Sequence, residues 1–144
     1  MLHLTIITPD ETVFTGPVTS VTIPTPEGEI GVLDHHIPLV SIVVPGSIAV
    51  RKDDGTEVLF AVTRGLVEID GTSLRILVDT ADRAEALEEA AITAAKERAE
   101  ALMSERRNDV EGFAEATAIL ERELARLHVV RRHRNRVRSP YIGE

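Results

Sequence analysis

Between Pro24 and Val40 the chain reads Pro24-Thr25-Pro26-Glu27-Gly28-Glu29-Ile30-Gly31-Val32-Leu33-Asp34-His35-His36-Ile37-Pro38-Leu39-Val40. Carboxylates and imidazoles are the groups that ligate metals and move protons. Here the spacing supports neither use. Neighbours in an extended segment point to opposite faces, so His35 and His36 do not converge on one ion. Asp34, His36 and Ser41 have the residue types of a nucleophilic triad, but a triad is a geometry and this spacing supplies none. Gly28-Glu29-Ile30-Gly31 carries only two glycines, short of a Walker loop or a dinucleotide fingerprint. No catalytic residue, metal or cofactor is expected. The stretch reads as an ordered β-loop-β segment with a polar, protein-facing rim, and Ile30, Val32, Leu33 and Leu39 are expected to tie it to a core.

A second concentration of chemistry lies at the other end. Arg126 to Arg138 holds six arginines and no acid. A solvated helix end accounts for some of them, because cations are favoured at a helix C-terminus. Six exceed what a cap requires, so an acidic partner surface is the functional reading.

Two kinds of element must position these groups. Residues 1–81 alternate apolar and polar residues in short runs such as Leu2-His3-Leu4-Thr5-Ile6-Ile7 and Leu74-Arg75-Ile76-Leu77-Val78. Turn signals recur at Gly16-Pro17, Pro45-Gly46, Asp53-Asp54-Gly55 and Asp70-Gly71. Eight or more strands at this spacing predict an antiparallel β-sandwich or flattened barrel, and the absence of helical runs between them excludes a parallel βαβ fold. At Asp82 the period changes. No Gly or Pro interrupts Asp82 to Arg107, and Leu87, Ala91, Ala95, Ala99 and Leu102 recur at helical spacing. Asn108-Asp109 breaks the run, with Asp109 as N-cap. Val110, Phe113, Thr117, Leu120, Leu124 and Leu127 predict a second helix. The fold class is therefore all-β plus α, an N-terminal antiparallel β-sandwich (1–81) followed by a C-terminal antiparallel two-helix hairpin (82–138) and a disordered tail (139–144). The first helix offers mostly methyl groups, so the hairpin is expected to be stable only when held by the sandwich or another protein.

Composition narrows the function. The chain has 144 residues and no cysteine, which excludes disulfides, thiolate metal sites and a Cys nucleophile. Aromatics are 3%, so the core is aliphatic. No segment approaches the ~20 apolar residues that span a bilayer, and no basic region followed by an apolar run marks a signal peptide. The net charge is −8, which with the missing stacking aromatics argues against nucleic acid. Residues 1–81 hold four basic and eleven acidic residues, and residues 82–144 hold twelve basic and thirteen acidic.

Several runs together resemble the epsilon subunit of rotary F-type ATP synthase. They are Ser20-Val21-Thr22-Ile23-Pro24-Thr25, Glu27 to Leu33, His35-His36-Ile37-Pro38-Leu39-Val40, Pro45-Gly46, Gly65-Leu66-Val67-Glu68 and Ile76-Leu77-Val78-Asp79-Thr80-Ala81, followed by the Ala-rich hairpin. The resemblance extends to about Arg134. It implies a non-catalytic central-stalk subunit of a proton- or sodium-driven ATP synthase, peripheral on the cytoplasmic side of an energy-transducing membrane such as the bacterial plasma membrane. The sandwich would sit on the gamma subunit and touch the c-ring, coupling rotation to ATP synthesis. The hairpin would extend along gamma to the alpha/beta head and restrain ATP hydrolysis. By position, Glu27, Gly28, Glu29, Gly31, Asp34 and His36 match the ring- or gamma-facing region. Arg122, Arg126, Arg131, Arg132 and Arg134 match the basic residues that face an acidic loop of beta.

The match has departures. Asp34 stands where proline is commoner, and Arg64 where a second glycine is usual. The Ile/Leu-Asp-x-x-Arg-Ala motif with which some bacterial members sense ATP corresponds to Leu87-Glu88-Glu89-Ala90-Ala91-Ile92. Glu88 replaces the aspartate and Ala91 the arginine, so the phosphate partner is lost and ATP sensing is expected to be weak or absent. A free-standing binding module with a basic docking tail is the alternative. A small enzyme is disfavoured by the missing catalytic set.

Overall fold

In a computed structural model the backbone is described for residues 1–138 and the side chains through Arg134. The expected tail at 139–144, and the side chains of Arg136 and Arg138, lie outside the described residues. Ten strands form two five-stranded sheets. The strands are β1 (Leu2–Ile7), β2 (Thr12–Val18), β3 (Ser20–Thr25), β4 (Gly28–Leu33), β5 (His36–Val43), β6 (Gly46–Arg51), β7 (Glu57–Val62), β8 (Gly65–Gly71), β9 (Ser73–Val78) and β10 (Ala81–Arg83). One sheet runs β2-β1-β9-β8-β5 and the other β10-β7-β6-β3-β4. All pairs are antiparallel except β1 with β9, which run parallel in the register Leu4 with Leu74 and Ile6 with Ile76.

Alternation explains the core. Leu2, Leu4 and Ile6 of β1 meet Leu74, Ile76 and Val78 of β9 and Val67 and Ile69 of β8, all buried. From the other sheet come Val21, Ile23, Val32, Ile48, Val50, Phe60 and Val62. The Phe14 and Phe60 rings meet edge to face at 6.1 Å.

Two helices follow, α1 (Glu89–Glu105) and α2 (Val110–Arg138). α2 lies on the outer face of the second sheet, where Ala125 and Val129 cover Ala49, Leu59 and Ala61, flanked by Ala84 and Leu87. α1 packs on α2 through buried Ile92 and Ala99.

The structure corrects several expectations. Gly16-Pro17 is not a turn but part of β2, paired with Leu4 and His3; β2 is an edge strand, where a missing N–H is tolerated. Helix does not begin at Asp82. Asp82 pairs with Ala61 in β10, and a 3-10 turn spans Ala84–Ala86 before α1. Pairing to β7 has overridden local helix preference. Ala91 is exposed, so the α1 seam runs through Ile92 and Ala99 instead. On α2, Val110, Phe113 and Leu124 are exposed, while Ala116, Glu123, Ala125, Leu127 and Val129 are buried. A helix with partners on two sides does not show one stripe.

Candidate docking surfaces

The two-residue turn Pro26-Glu27 joins β3 to β4, and the Thr25 hydroxyl donates to the Gly28 carbonyl at 2.6 Å across it. Gly28 has φ 117°, a conformation side chains avoid. β4 is an edge strand, so alternation turns Ile30 and Val32 toward the core and leaves Glu29, Gly31 and Leu33 outside. Glu27, Gly28, Glu29 and Gly31 form one exposed rim. Glu29 also borders a cleft beneath α2, opposite Leu124 and His128. Asp34 and His36 lie at the far end of β4, about 17 Å along the strand from Glu29. The six rim candidates thus form two clusters.

At that far end the chain crosses between sheets, from β4 in one to β5 in the other, over Asp34-His35. His35 takes φ 62°, a left-handed conformation that His tolerates better than branched residues do. Asp34 Oδ1 accepts the His35 backbone N–H at 3.0 Å, and its Oδ2 lies 3.2 Å from the Met1 amino group. Desolvation alone would raise the Asp34 carboxyl. The hydrogen bond and charge of the Met1 ammonium, with the charge and N–H of His35, outweigh it and hold the group below its ordinary 3.8. His36 Nδ1 contacts the Ile37 carbonyl at 2.7 Å. Among the described residues no cluster of His, Asp and Glu has a metal-binding arrangement.

Apart from Val43, which is buried in the core, β5 leaves its apolar residues outside. Ile37 is 76% exposed and Val40 67%, and Leu39, Val40 and Ile42 line one surface with Leu66 of β8. Leu33 and Leu39 therefore do not tie the rim inward as expected; Ile30 and Val32 do. A bulge between His36 and Leu39 interrupts the ladder around Pro38. A contiguous apolar surface beside a polar rim is the signature of a protein interface.

The arginines are engaged within the chain. Arg126 Nε donates to Asp82 at 2.8 Å and its Nη1 to buried Glu123 at 3.0 Å. Arg122 Nε reaches the same Glu123 oxygen at 3.3 Å. Arg131 and Arg134 both donate to Glu89. Arg132 donates to Ser47 and lies 3.9 Å from Glu57. Sequence reading missed these partners, which lie up to 85 residues away. The near-balance of charge in residues 82–144 was the available signal. Arg64, between β7 and β8, reaches Glu121 through two hydrogen bonds of 2.8 and 3.3 Å, which hold its guanidinium above its already high range.

The window of the degenerate ATP motif lines a cleft of about 330 Å³ with Glu88, Ala91, Ile92, Ala95, Glu123 and Arg126. Among the described residues that line it, the one cation, Arg126, is already paired twice. No helix of the described residues is long and apolar enough to cross a membrane.

A sandwich with an exposed apolar strand, a polar rim and a folded hairpin offers surfaces on which other proteins can dock. The beta-sandwich domain model of the ATP synthase delta/epsilon chain matches residues 1–84. The ATP synthase epsilon chain of Nitrosococcus oceani is 33% identical over 136 residues, 94% of this chain and 96% of its own. That of Acinetobacter baumannii is 36% identical over 131 residues, 91% and 94% of the two chains. A chain of the Euglena gracilis mitochondrial ATP synthase structure superposes with a TM-score of 0.73 at 25% identity, covering 86% of this chain and 78% of that one. The chain belongs to the ATP synthase delta/epsilon family.

Proposed function

We propose that this chain is a central-stalk subunit that couples c-ring rotation to the catalytic head and restrains ATP hydrolysis through its hairpin. The exposed apolar strip at Ile37, Val40, Ile42 and Leu66, continuous with edge strand β5, carries the reading. That strip is the face for gamma. The rim at Glu27, Gly28, Glu29 and Gly31 is the face for the polar loops of the ring, with Asp34 and His36 at the border between the two. The sandwich of residues 1–81 acts as the docking unit and residues 82–138 as the regulatory one. Arg122, Arg126, Arg131, Arg132 and Arg134 meet an acidic loop of beta when the hairpin leaves the sandwich. Membrane association is indirect, through the ring, on the cytoplasmic face of the bacterial plasma membrane. A free-standing module with a basic tail is less well supported, because the described arginines of that tail are neutralised by the chain's own acids.

Binding to purified gamma tests the docking half. Val40→Glu is expected to weaken the complex at least tenfold, and no binding by the parent chain overturns the reading. Truncation after Leu127 tests the regulatory half. It is expected to raise ATP hydrolysis by the assembled enzyme; unchanged hydrolysis makes the arginines a solvated face.

A further inference from the structure

We propose that Arg64 and Glu121 form a clasp that holds the hairpin on the sandwich and that an acidic partner of the hairpin cannot displace by substitution. The inference rests on the mobile-hairpin reading above and names a regulatory contact within it.

The clasp is a two-pronged pair, Arg64 Nη2 to Glu121 Oε1 at 2.8 Å and Nε to Oε2 at 3.3 Å. Forked guanidinium–carboxylate pairs are the strong, directional kind. The backbone that presents Arg64 is fixed. Its carbonyl accepts the Asp79 N–H at 3.1 Å, and the Thr63 N–H is bound by Thr80 at 3.2 Å. Next to it, Gly65 packs so closely on the Leu77 carbonyl that no Cβ fits. The clasp therefore orders one side chain, not a loop.

Its weight comes from what surrounds it. The seam between α2 and the sheet is mostly methyl groups: Ala49, Ala61, Ala84 and Ala125 with Leu59 and Val129. Toward its N-terminal half α2 leaves a cleft of about 570 Å³ against Thr63, Arg64, Asp79 and Thr80, bordered by Phe113 and Thr117. Arg64–Glu121 bridges that cleft.

Its polarity sets it apart. In the other charged contacts between α2 and the sandwich among the described residues, Arg126 with Asp82 and Arg132 with Ser47 and Glu57, the cation belongs to the helix. An acidic surface can replace Asp82 and Glu57 as the arginines' partner. It repels Glu121, and it offers nothing in place of Arg64. The pair thus opposes release even when the arginines have somewhere to go.

The native chain has no cysteine, so Asp53→Cys with Glu97→Cys gives a clean spin-label pair between an exposed sandwich tip and exposed α1. Distances are read in the full chain and in assembled ATP synthase. Arg64→Glu and Glu121→Arg are each expected to raise the population beyond the folded distance about two- to fivefold. The swap Arg64→Glu/Glu121→Arg is expected to return it to the parent value, which separates the clasp from a folding defect. Singles that move nothing, or a swap as open as the singles, overturn the clasp. Distances that shift and recover while ATP hydrolysis stays unchanged leave the clasp standing and overturn the inhibitory role of the hairpin.

Discussion

Glu89, in the first turn of α1, accepts from Arg131 Nε at 3.2 Å and from Arg134 Nη1 at 2.6 Å. One carboxylate thus answers two guanidiniums and ties the start of one helix to the end of the described side chains of the other. Glu89→Ala leaves two cations adjacent. These groups are partly exposed, so the loss is about 0.5–1 kcal/mol. Amide exchange in the last described turns of α2 is expected to quicken up to about fivefold, with sandwich amides unchanged.

Arg126 is less replaceable. It joins Asp82 of β10 to Glu123, which is 1% exposed. Arg126→Met leaves a buried carboxylate with only Arg122, and is expected to destabilise hairpin docking by about 2–3 kcal/mol. Glu123→Leu leaves Arg126 with Asp82 and Arg122 free to turn to water, and is expected to cost less than half as much. Urea titrations of α2 amide exchange separate the two.

Gly65→Ala drives a methyl group into the Leu77 carbonyl between β8 and β9. Overpacking against backbone has no cheap relief, and a loss of about 2–3 kcal/mol is expected in a thermal or urea melt.

ATP is expected not to bind the isolated chain. The cleft at Glu88 and Ala91 lacks the arginine, and Arg126 is already paired there. Calorimetry should give no isotherm at micromolar ATP; a tight micromolar isotherm contradicts the assignment.

Asp34 makes stability depend on acid. Its carboxyl is held below 3.8 in the folded chain, so its contribution is complete above that value and is lost as the pH falls through the folded one. Asp34→Asn is expected to melt below the parent at neutral pH, and the gap is expected to close below about pH 4. A gap that persists at pH 2 contradicts this.

Much of the sandwich was legible because each strand carries its own period and turns: Leu2, Leu4 and Ile6 inward, Asp53-Asp54-Gly55 at a tip. The start of α1 was not, because Asp82 and Arg83 belong by composition to a helix and by pairing to β7. Nor was the fate of β5 legible. Ile37 and Val40 have core composition, and only their exposure on an edge strand of the folded sheet shows that they point outward. Apart from Glu123, a near neighbour on α2 itself, the arginine partners are set by the packing of α2 against α1, β10, β6 and β7, a relation that no local pattern encodes.

The turn at Asp34-His35 has a mechanical consequence. β4 and β5 are the end strands of opposite sheets, so this turn is the spine of a book whose pages are the two sheets. It is not the only such tie: the chain also crosses between the pages at Thr19, Val44-Pro45, Thr63-Arg64 and Asp79-Thr80, so the edges at β2 and β10 are joined by covalent chain as well. A push on the rim or on the apolar strip is thus passed to both sheets through short covalent crossings, so the two pages move as one body rather than parting.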